Sequence, residues 1–245
     1  MSHKLDIHEG AVVIADAHYS PSRPELLSLI EAIANKTLAT TQLILMGDIF
    51  DNLFGSISHT YKENQRMIVL LKQISEEIEV IYLEGNHDFY LRAIFKNMKI
   101  FPISQQPCET TYKDKKVLLA HGDFDAPFGY QVYTFLIRNP FVLFVLKLID
   151  NITNHSIINY VQRHLDKKED CREFRGFKEL IKKRIENRFD CDYFIEGHFH
   201  QNRSIKLENI NYINLGAFAC NQRYFIVKSL EDKELLEEKT FSKGM

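Results

Sequence analysis

The sequence predicts an α/β fold made of two sheets with a helical insertion. Three observations predict it. Residues 11–88 alternate short apolar runs with amphipathic stretches, the strand–helix–strand pattern of an α/β layer. Residues 109–123 and 192–230 are strand-like runs joined by turns too tight for crossover helices, which points to a second, more antiparallel sheet. Residues 124–190 match neither pattern and read as helices.

The elements follow in order. "AVVIAD" (11–16) is short, apolar and rich in β-branched residues, and a loop holding Pro21 and Pro24 comes next. That is a buried strand and a turn. "PELLSLIEAIANK" (24–36) has apolar residues at helical spacing, with Pro24 at the entry where a first turn tolerates it. "TQLILMGD" (41–48) is a second strand, residues 60–76 a second amphipathic helix, and "IEVIYLEGNHD" (78–88) a third strand running into a Gly-Asn turn. "ETTYKDKKVLLAHGD" (109–123) reads as two strands around a Lys-rich turn. "DYFIEGHFH" (192–200), "NRSIKLENINYINLGA" (202–217) and "RYFIVKSL" (223–230) supply the other strands of the second sheet. The charged end, "EDKELLEEKTFSKGM", reads as a frayed tail.

With 245 residues, 45% of them hydrophobic, the chain forms one domain over 1–245 with a core that needs no disulfide staples. Its net charge of −2 and the lack of a basic-aromatic groove argue against a nuclease or other nucleic-acid partner. Cys108, Cys171, Cys191 and Cys220 form no CxxC and read as buried or free thiols in a reducing compartment. The N-terminus has no apolar signal segment. No run approaches the ~18 apolar residues of a membrane span. The longest, "FVLFVLKLI" (141–149), contains Lys147. These features place the protein in the cytoplasm.

The polar residues fall at strand ends. Asp16 and His18 follow the first strand in "DAH", and Asp48 and Asp51 the second in "GDIFD". Asn86, His87 and Asp88 follow the third in "GNHD". His121 and Asp123 follow another in "HGD", and His198 and His200 the next in "GHFH". Alone, a His-x-His pair is a pair of metal ligands or two polar residues on a solvated edge. As a set, turns at the carboxyl ends of strands converge on one site in open α/β sheets. Oxygen and imidazole donors without thiolates suit Mn, Fe or Zn. Seven such donors are too many for one ion and fit two that share a carboxylate. Two ions about 3.5–4 Å apart can generate hydroxide and clamp a phosphoryl group. A histidine that binds neither ion could protonate the leaving oxygen.

"DAH", "GDIFD", "GNHD", "HGD" and "GHFH", in this order, resemble the calcineurin-like metallophosphoesterases over nearly the whole chain outside the insertion. The resemblance implies a four-layer α/β/β/α sandwich of two mixed sheets with a dinuclear centre among the loops. It implies one ion on Asp16, His18, Asp48 and His200, and another on Asp48, Asn86, His121 and His198. Asp48 would bridge. His87 would be the catalytic imidazole, oriented by Asp88 or its surroundings. Asp51 and Asp123 are expected to hydrogen-bond within their loops or behind the ligands. The cofactor expected is two divalent ions, Mn2+ first, with Fe or Zn also fitting.

The insertion bears on the substrate. Between Arg138 and Arg188 twelve Lys/Arg stand against seven Asp/Glu, a basic and apolar island on an acidic body. "FDAPFGYQVYTFLIRNPFVLFVLKLI" places Tyr-Gln, a basic residue, Pro and a long apolar helix between "HGD" and "GHFH". This resembles the UDP-2,3-diacylglucosamine diphosphatases of lipid A synthesis. In that family the insertion is a lid for acyl chains, and the pyrophosphate is split to UMP and the lipid 1-phosphate. Those enzymes carry Arg where this chain has His87. The resemblance implies a nucleotide-linked lipid substrate and peripheral contact with the inner membrane surface, to which apolar and basic helices adsorb. Tyr130, Gln131 and Arg138 are candidate substrate contacts, or ordinary helix packing. The apolar stripe is a lid or a dimer interface. Two other functions stay open: a phosphoesterase acting on other nucleotides, phosphodiesters or phosphoproteins, and a metal-bound scaffold without turnover.

Overall fold

The computed structural model describes residues 5–55, 57–125, 128–153, 156, 160, 171–229 and 234–242. Along the chain come β1 (Leu5–Asp6), β2 (Val12–Ile14), α1 (Glu25–Ala34), β3 (Gln42–Leu45), β4 (Leu53–Phe54), α2 (Ser58–Glu63), α3 (Gln65–Glu77), β5 (Glu79–Leu83), β6 (Asp88–Phe89) and β7 (Lys99–Phe101). Then follow β8 (Cys108–Tyr112), β9 (Lys115–Ala120), α4 (Phe128–Ile137), α5 (Pro140–Ile152), α6 (Phe177–Ile185), β10 (Tyr193–Glu196), β11 (Arg203–Lys206), β12 (Asn211–Asn214), α7 (Phe218–Asn221), β13 (Arg223–Val227) and β14 (Leu236–Thr240).

Among the described residues two six-stranded sheets form, one ordered β14-β13-β2-β3-β5-β7 and the other β1-β8-β9-β10-β12-β11, and β4 pairs with β6. Strand periodicity explains how they stack. In β2 Val12 and Ile14 point one way, onto Leu26, Leu29, Ile30 and Ile33 of α1 and Met67, Ile68 and Leu71 of α3. These helix positions recur at the spacing of one helical face. Ala11, Val13 and Ala15 point the other way, into a cluster that also holds Val117, Leu119 and Ile195 of the second sheet. On the far face of that sheet, Leu118, Phe194 and Tyr212 pack against Phe177, Ile181 and Ile185 of α6. The layers are therefore α/β/β/α.

Several sequence expectations are corrected. The second sheet is mixed, as the family resemblance implied, and less antiparallel than its tight turns suggested, because β10 pairs parallel with both β9 and β12. The chain between β9 and β10 runs through the insertion, which supplies the crossover. β13 leaves the second sheet and pairs antiparallel with β2 of the first. The charged tail is β14 over Leu236–Thr240, paired with β13. Its alternating Leu, Glu and Lys suit an edge strand with one wet face. The helix expected at 60–76 is broken at Asn64, whose amide donates to Asn52 O at 3.0 Å and Thr60 O at 2.8 Å.

The insertion is helical at α4, α5 and α6. Residues 126–127, 154–155, 157–159 and 161–170 of it lie outside the described residues. The α4–α5 hairpin turns at Arg138 and Asn139, and the Asn139 side chain caps α5 by accepting from the Phe141 and Val142 amides. Two of the expected thiols are a disulfide: Cys171 and Cys220 are joined across 49 residues, their Cα atoms 5.6 Å apart. Closing a loop of that length stabilises the fold by up to about 4 kcal/mol in chain-entropy terms. The bond ties the end of the insertion to α7. Cys108 and Cys191 are free and buried. Burial pushes them up to about 12 and about 11, so both are inert thiols.

Candidate dinuclear metal centre

β2, β3 and β5 run parallel, and so do β9 and β10. Their carboxyl ends all deliver a polar loop to the same edge of the sandwich. Asp16, His18 and His200 each bring a donor atom within 4.8 Å of the other two, and Asp48, His121 and His198 do the same. In the first cluster His200 Nε2 lies 3.1 Å from Asp16 Oδ1. In the second His121 Nε2 lies 3.4 Å from Asp48 Oδ2 and 3.4 Å from Asn86 Oδ1. The loops are laced together. The His87 amide donates to Asp48 Oδ1 at 2.9 Å, and the His198 amide to Asp16 Oδ2 at 2.9 Å.

The backbone of the site is strained. Asp16, His18, Asp48, His198 and His200 all have φ between 47° and 63°, a left-handed conformation that side-chain-bearing residues rarely adopt. Such residues persist where surrounding structure over-determines them, and they gather at functional sites. Neighbouring glycines make the crowding possible. A Cβ on Gly47, itself at φ +88°, would stand 2.5 Å from His121 Nδ1, and one on Gly85 would stand 2.1 Å from Asp48 Oδ1.

The electrostatics favour cations. Burial would raise Asp16 and Asp48, but His200 beside the first and His121 and His87 beside the second overcome it and hold both below the usual carboxylate range. Burial, reinforced by the His121 charge, drops His198 to about 3 and leaves it neutral with a lone pair to give. Burial disfavours the His121 charge too, yet Asp48 raises it well above the ordinary imidazole value; a cation would take that proton's place. His18 is 1% exposed and its Nδ1 faces Asp51 Oδ1 at 3.5 Å, yet among the described residues neither ring nitrogen makes a hydrogen bond. An orphaned buried imidazole among carboxylates fits a divalent ion, and the thiolate-free donor set fits Mn, Fe or Zn.

A sequence model of the calcineurin-like phosphoesterase family matches residues 11–202, from the first strand to just beyond the "GHFH" turn. The chain belongs to the calcineurin-like phosphoesterases. As a member it is a metal-dependent hydrolase that uses divalent ions. It is 25% identical to the UDP-2,3-diacylglucosamine hydrolase of Psychromonas ingrahamii over 195 residues, covering 77% of this chain and 79% of that protein. The protein of that name from Haemophilus influenzae strain PittGG is 24% identical over 217 residues, 85% of this chain and 90% of its own. One from Pseudomonas fluorescens strain Pf0-1 is 27% identical over 151 residues, 60% of each.

The remaining site residues of this phosphoesterase sort by what they touch. His87 stands beside the first cluster, its ring centroid 4.7 Å from that of His18. Its Nδ1 lies 2.9 Å from Asp51 O and 3.6 Å from Asp51 Oδ1. Burial opposes its charge, but Asp48 and Asp51 outweigh burial and hold His87 up to about 9. A cation on Asp48 would offset part of that pull. Of the two supports expected for His87, Asp88 or its surroundings, the structure places the surroundings beside the ring. The Asp88 carboxylate accepts from the amides of Asp48, Ile49, Phe50 and Gly85 and from the Tyr82 hydroxyl. It braces the loop under the site, and Asp51 takes the place beside the imidazole.

On the insertion, Tyr130 is half-buried on α4, and the side chain of Gln131 lies outside the described residues. Arg138 is held against the centre rather than free in a cleft: its Nη2 donates to Gly85 O at 2.8 Å. One support escaped the sequence reading altogether. Arg184 of α6 donates to Glu196 Oε1 at 2.8 Å and to Gly122 O at 3.0 Å. It thereby ties the insertion to the strand before "GHFH" and to the "HGD" turn. Its only sequence signal is a basic residue on the apolar face of an amphipathic helix.

Proposed function

We propose that this chain hydrolyses the pyrophosphate of UDP-2,3-diacylglucosamine to UMP and 2,3-diacylglucosamine 1-phosphate, with two divalent ions, Mn2+ foremost. Asp16, His18 and His200 would hold one ion, and Asn86, His121 and His198 the other, with Asp48 serving both. Bound there, the ions supply Lewis acidity and a hydroxide at neutral pH. The chain's own groups do the rest. Asp51 engages His87 Nδ1 and leaves Nε2 as the nitrogen that faces substrate, where it steadies the phosphoryl oxygens and gives a proton to the leaving oxygen.

The observation that carries the substrate class is the α4–α5 hairpin. Among the described residues, Phe135 is 70% exposed, Phe141 73% and Ile152 84%, with Leu136, Phe144, Leu148 and Ile149 also exposed. A contiguous apolar face of this kind marks a site that takes an apolar partner. Leu143 anchors the hairpin by packing on Phe89 and Ile57 beside the metal loops. The face thus starts where the chemistry ends, as a substrate with a nucleotide at one end and acyl chains at the other requires. The names of the relatives agree with this reading. No helix among the described residues is long and apolar enough to cross a membrane. The hairpin is the surface through which the enzyme, as a lid-bearing domain, meets the inner membrane peripherally.

The test compares two substrates on the Mn2+-loaded enzyme. UDP-2,3-diacylglucosamine should be turned over at least about 100-fold faster than UDP-glucosamine, since remote binding energy is realised in the rate. Equal rates on the two would rule out acyl recognition and favour a phosphoesterase for soluble nucleotides.

A further inference from the structure

Arg138 lies at the turn of the α4–α5 hairpin, yet its side chain is only 14% exposed. Its Nη2 donates to Gly85 O, the carbonyl immediately before Asn86, at 2.8 Å. The same nitrogen lies 3.5 Å from Asp123 Oδ2, two residues after His121. Its Cζ sits 5.3 Å from the ring centroid of Phe89, two residues after His87. Its carbonyl accepts the Tyr90 hydroxyl. Asp123 is itself buried, and neither of its oxygens has a hydrogen-bond partner among the described residues. The guanidinium therefore faces the Asp123 carboxylate alongside His121, and a single nitrogen, Nη2, spans the two loops.

Those two loops carry Asn86 and His121. His121 belongs to the second cluster and Asn86 Oδ1 lies 3.4 Å from its Nε2; the first cluster is built on loops after β2 and β10, to which Arg138 shows no contact among the described residues. We propose that Arg138 is a positioning residue through which the insertion holds the Asn86 and His121 loops in the geometry that a cation at the second cluster requires. The hairpin is then more than a cover. It is part of the support of one metal position, and chain displacement at the hairpin is felt by one ion before the other. This rests on the assignment of Asn86, His121 and His198 to a single ion, and it is independent of the substrate.

The experiment titrates the metal-free protein with Mn2+ by calorimetry in wild type, Arg138→Ala, Arg138→Lys and Tyr90→Phe. The double variant Arg138→Ala/Asp123→Asn is included because the single Ala variant leaves a buried carboxylate without its partner and can fail to fold. The expected result is that one of two Mn2+ equivalents weakens about 10–100-fold in the Ala and double variants, as loss of a residue behind metal ligands does, while the other is unchanged. Arg138→Lys and Tyr90→Phe should show the same selectivity with smaller loss. Turnover of bis(p-nitrophenyl) phosphate should fall in kcat with KM within about two-fold. Unchanged affinity for both equivalents would overturn the proposal. So would a rise in KM alone, which would make Arg138 a substrate contact. Equal weakening of both equivalents together with a lower melting temperature would reduce it to a fold-stabilising residue. A wild type that binds only one Mn2+ would instead remove the assignment on which the proposal stands.

Discussion

Asp48→Asn lowers turnover by about 1,000-fold at saturating Mn2+. Asp48 is 2% exposed, and its two oxygens face different partners: the His87 amide on one side and His121 Nε2 on the other. Asp48 stands in the cluster with His121 and His198; as the carboxylate proposed to lie between the clusters, it would contribute the charge that brings two cations close. A carboxamide keeps the volume and one acceptor oxygen but loses that charge. Lewis-acid stabilisation is worth several kcal/mol, and each 1.36 kcal/mol is a factor of ten in rate. The substitution is compatible with the fold for a specific reason. Residue 48 has φ 50°, and Asn tolerates the left-handed region. Steady-state kinetics on the variant check this, with calorimetric Mn2+ titration alongside. Near-wild-type turnover with two ions bound would sink the bridging role.

His87→Ala is expected to lower kcat by about 10²–10⁴-fold, the usual contribution of a positioned acid, while both ions stay bound. The geometry allows a rival role, since His18, Asp51 and His87 also bring donor atoms within 4.8 Å of one another. The hydrogen bonding decides between them. The Asp51 carbonyl engages His87 Nδ1 at 2.9 Å and leaves Nε2 to face substrate, whereas His18 Nδ1 faces Asp51 Oδ1 at 3.5 Å and its Nε2 remains for a cation. Metal content measured beside kcat tests this. Loss of one ion in the variant would make His87 a ligand and require another proton donor.

The site was legible where its signal is local. Asp16 and His18, or Asn86 and His87, sit within a few residues of a strand whose apolar run announces its own end. The α1 face Leu26, Leu29, Ile30 and Ile33 was legible for the same reason. What was not legible depends on partners far along the chain. Asp51 meets His87 across 36 residues, and Cys171 meets Cys220 across 49. Arg138 meets Gly85 across 53. β13 shows the alternation of a strand, but alternation carries no information about which neighbour it pairs with, and it joined β2 of the first sheet instead of the second sheet. Asp88 was misread because a polar residue in a functional motif resembles a catalytic one. Five donors to its carboxylate show that it holds the turn in shape.

The central claim is that the short turn after β10 serves two ions at once, His198 one and His200 the other. Equilibrium Mn2+ binding to wild type, His198→Ala, His200→Ala and the double variant tests it most directly. Two equivalents in wild type, one in each single variant and none held tightly in the double variant is the predicted result. One tight equivalent surviving in the double variant would mean that both histidines serve the same ion, and would contradict the account.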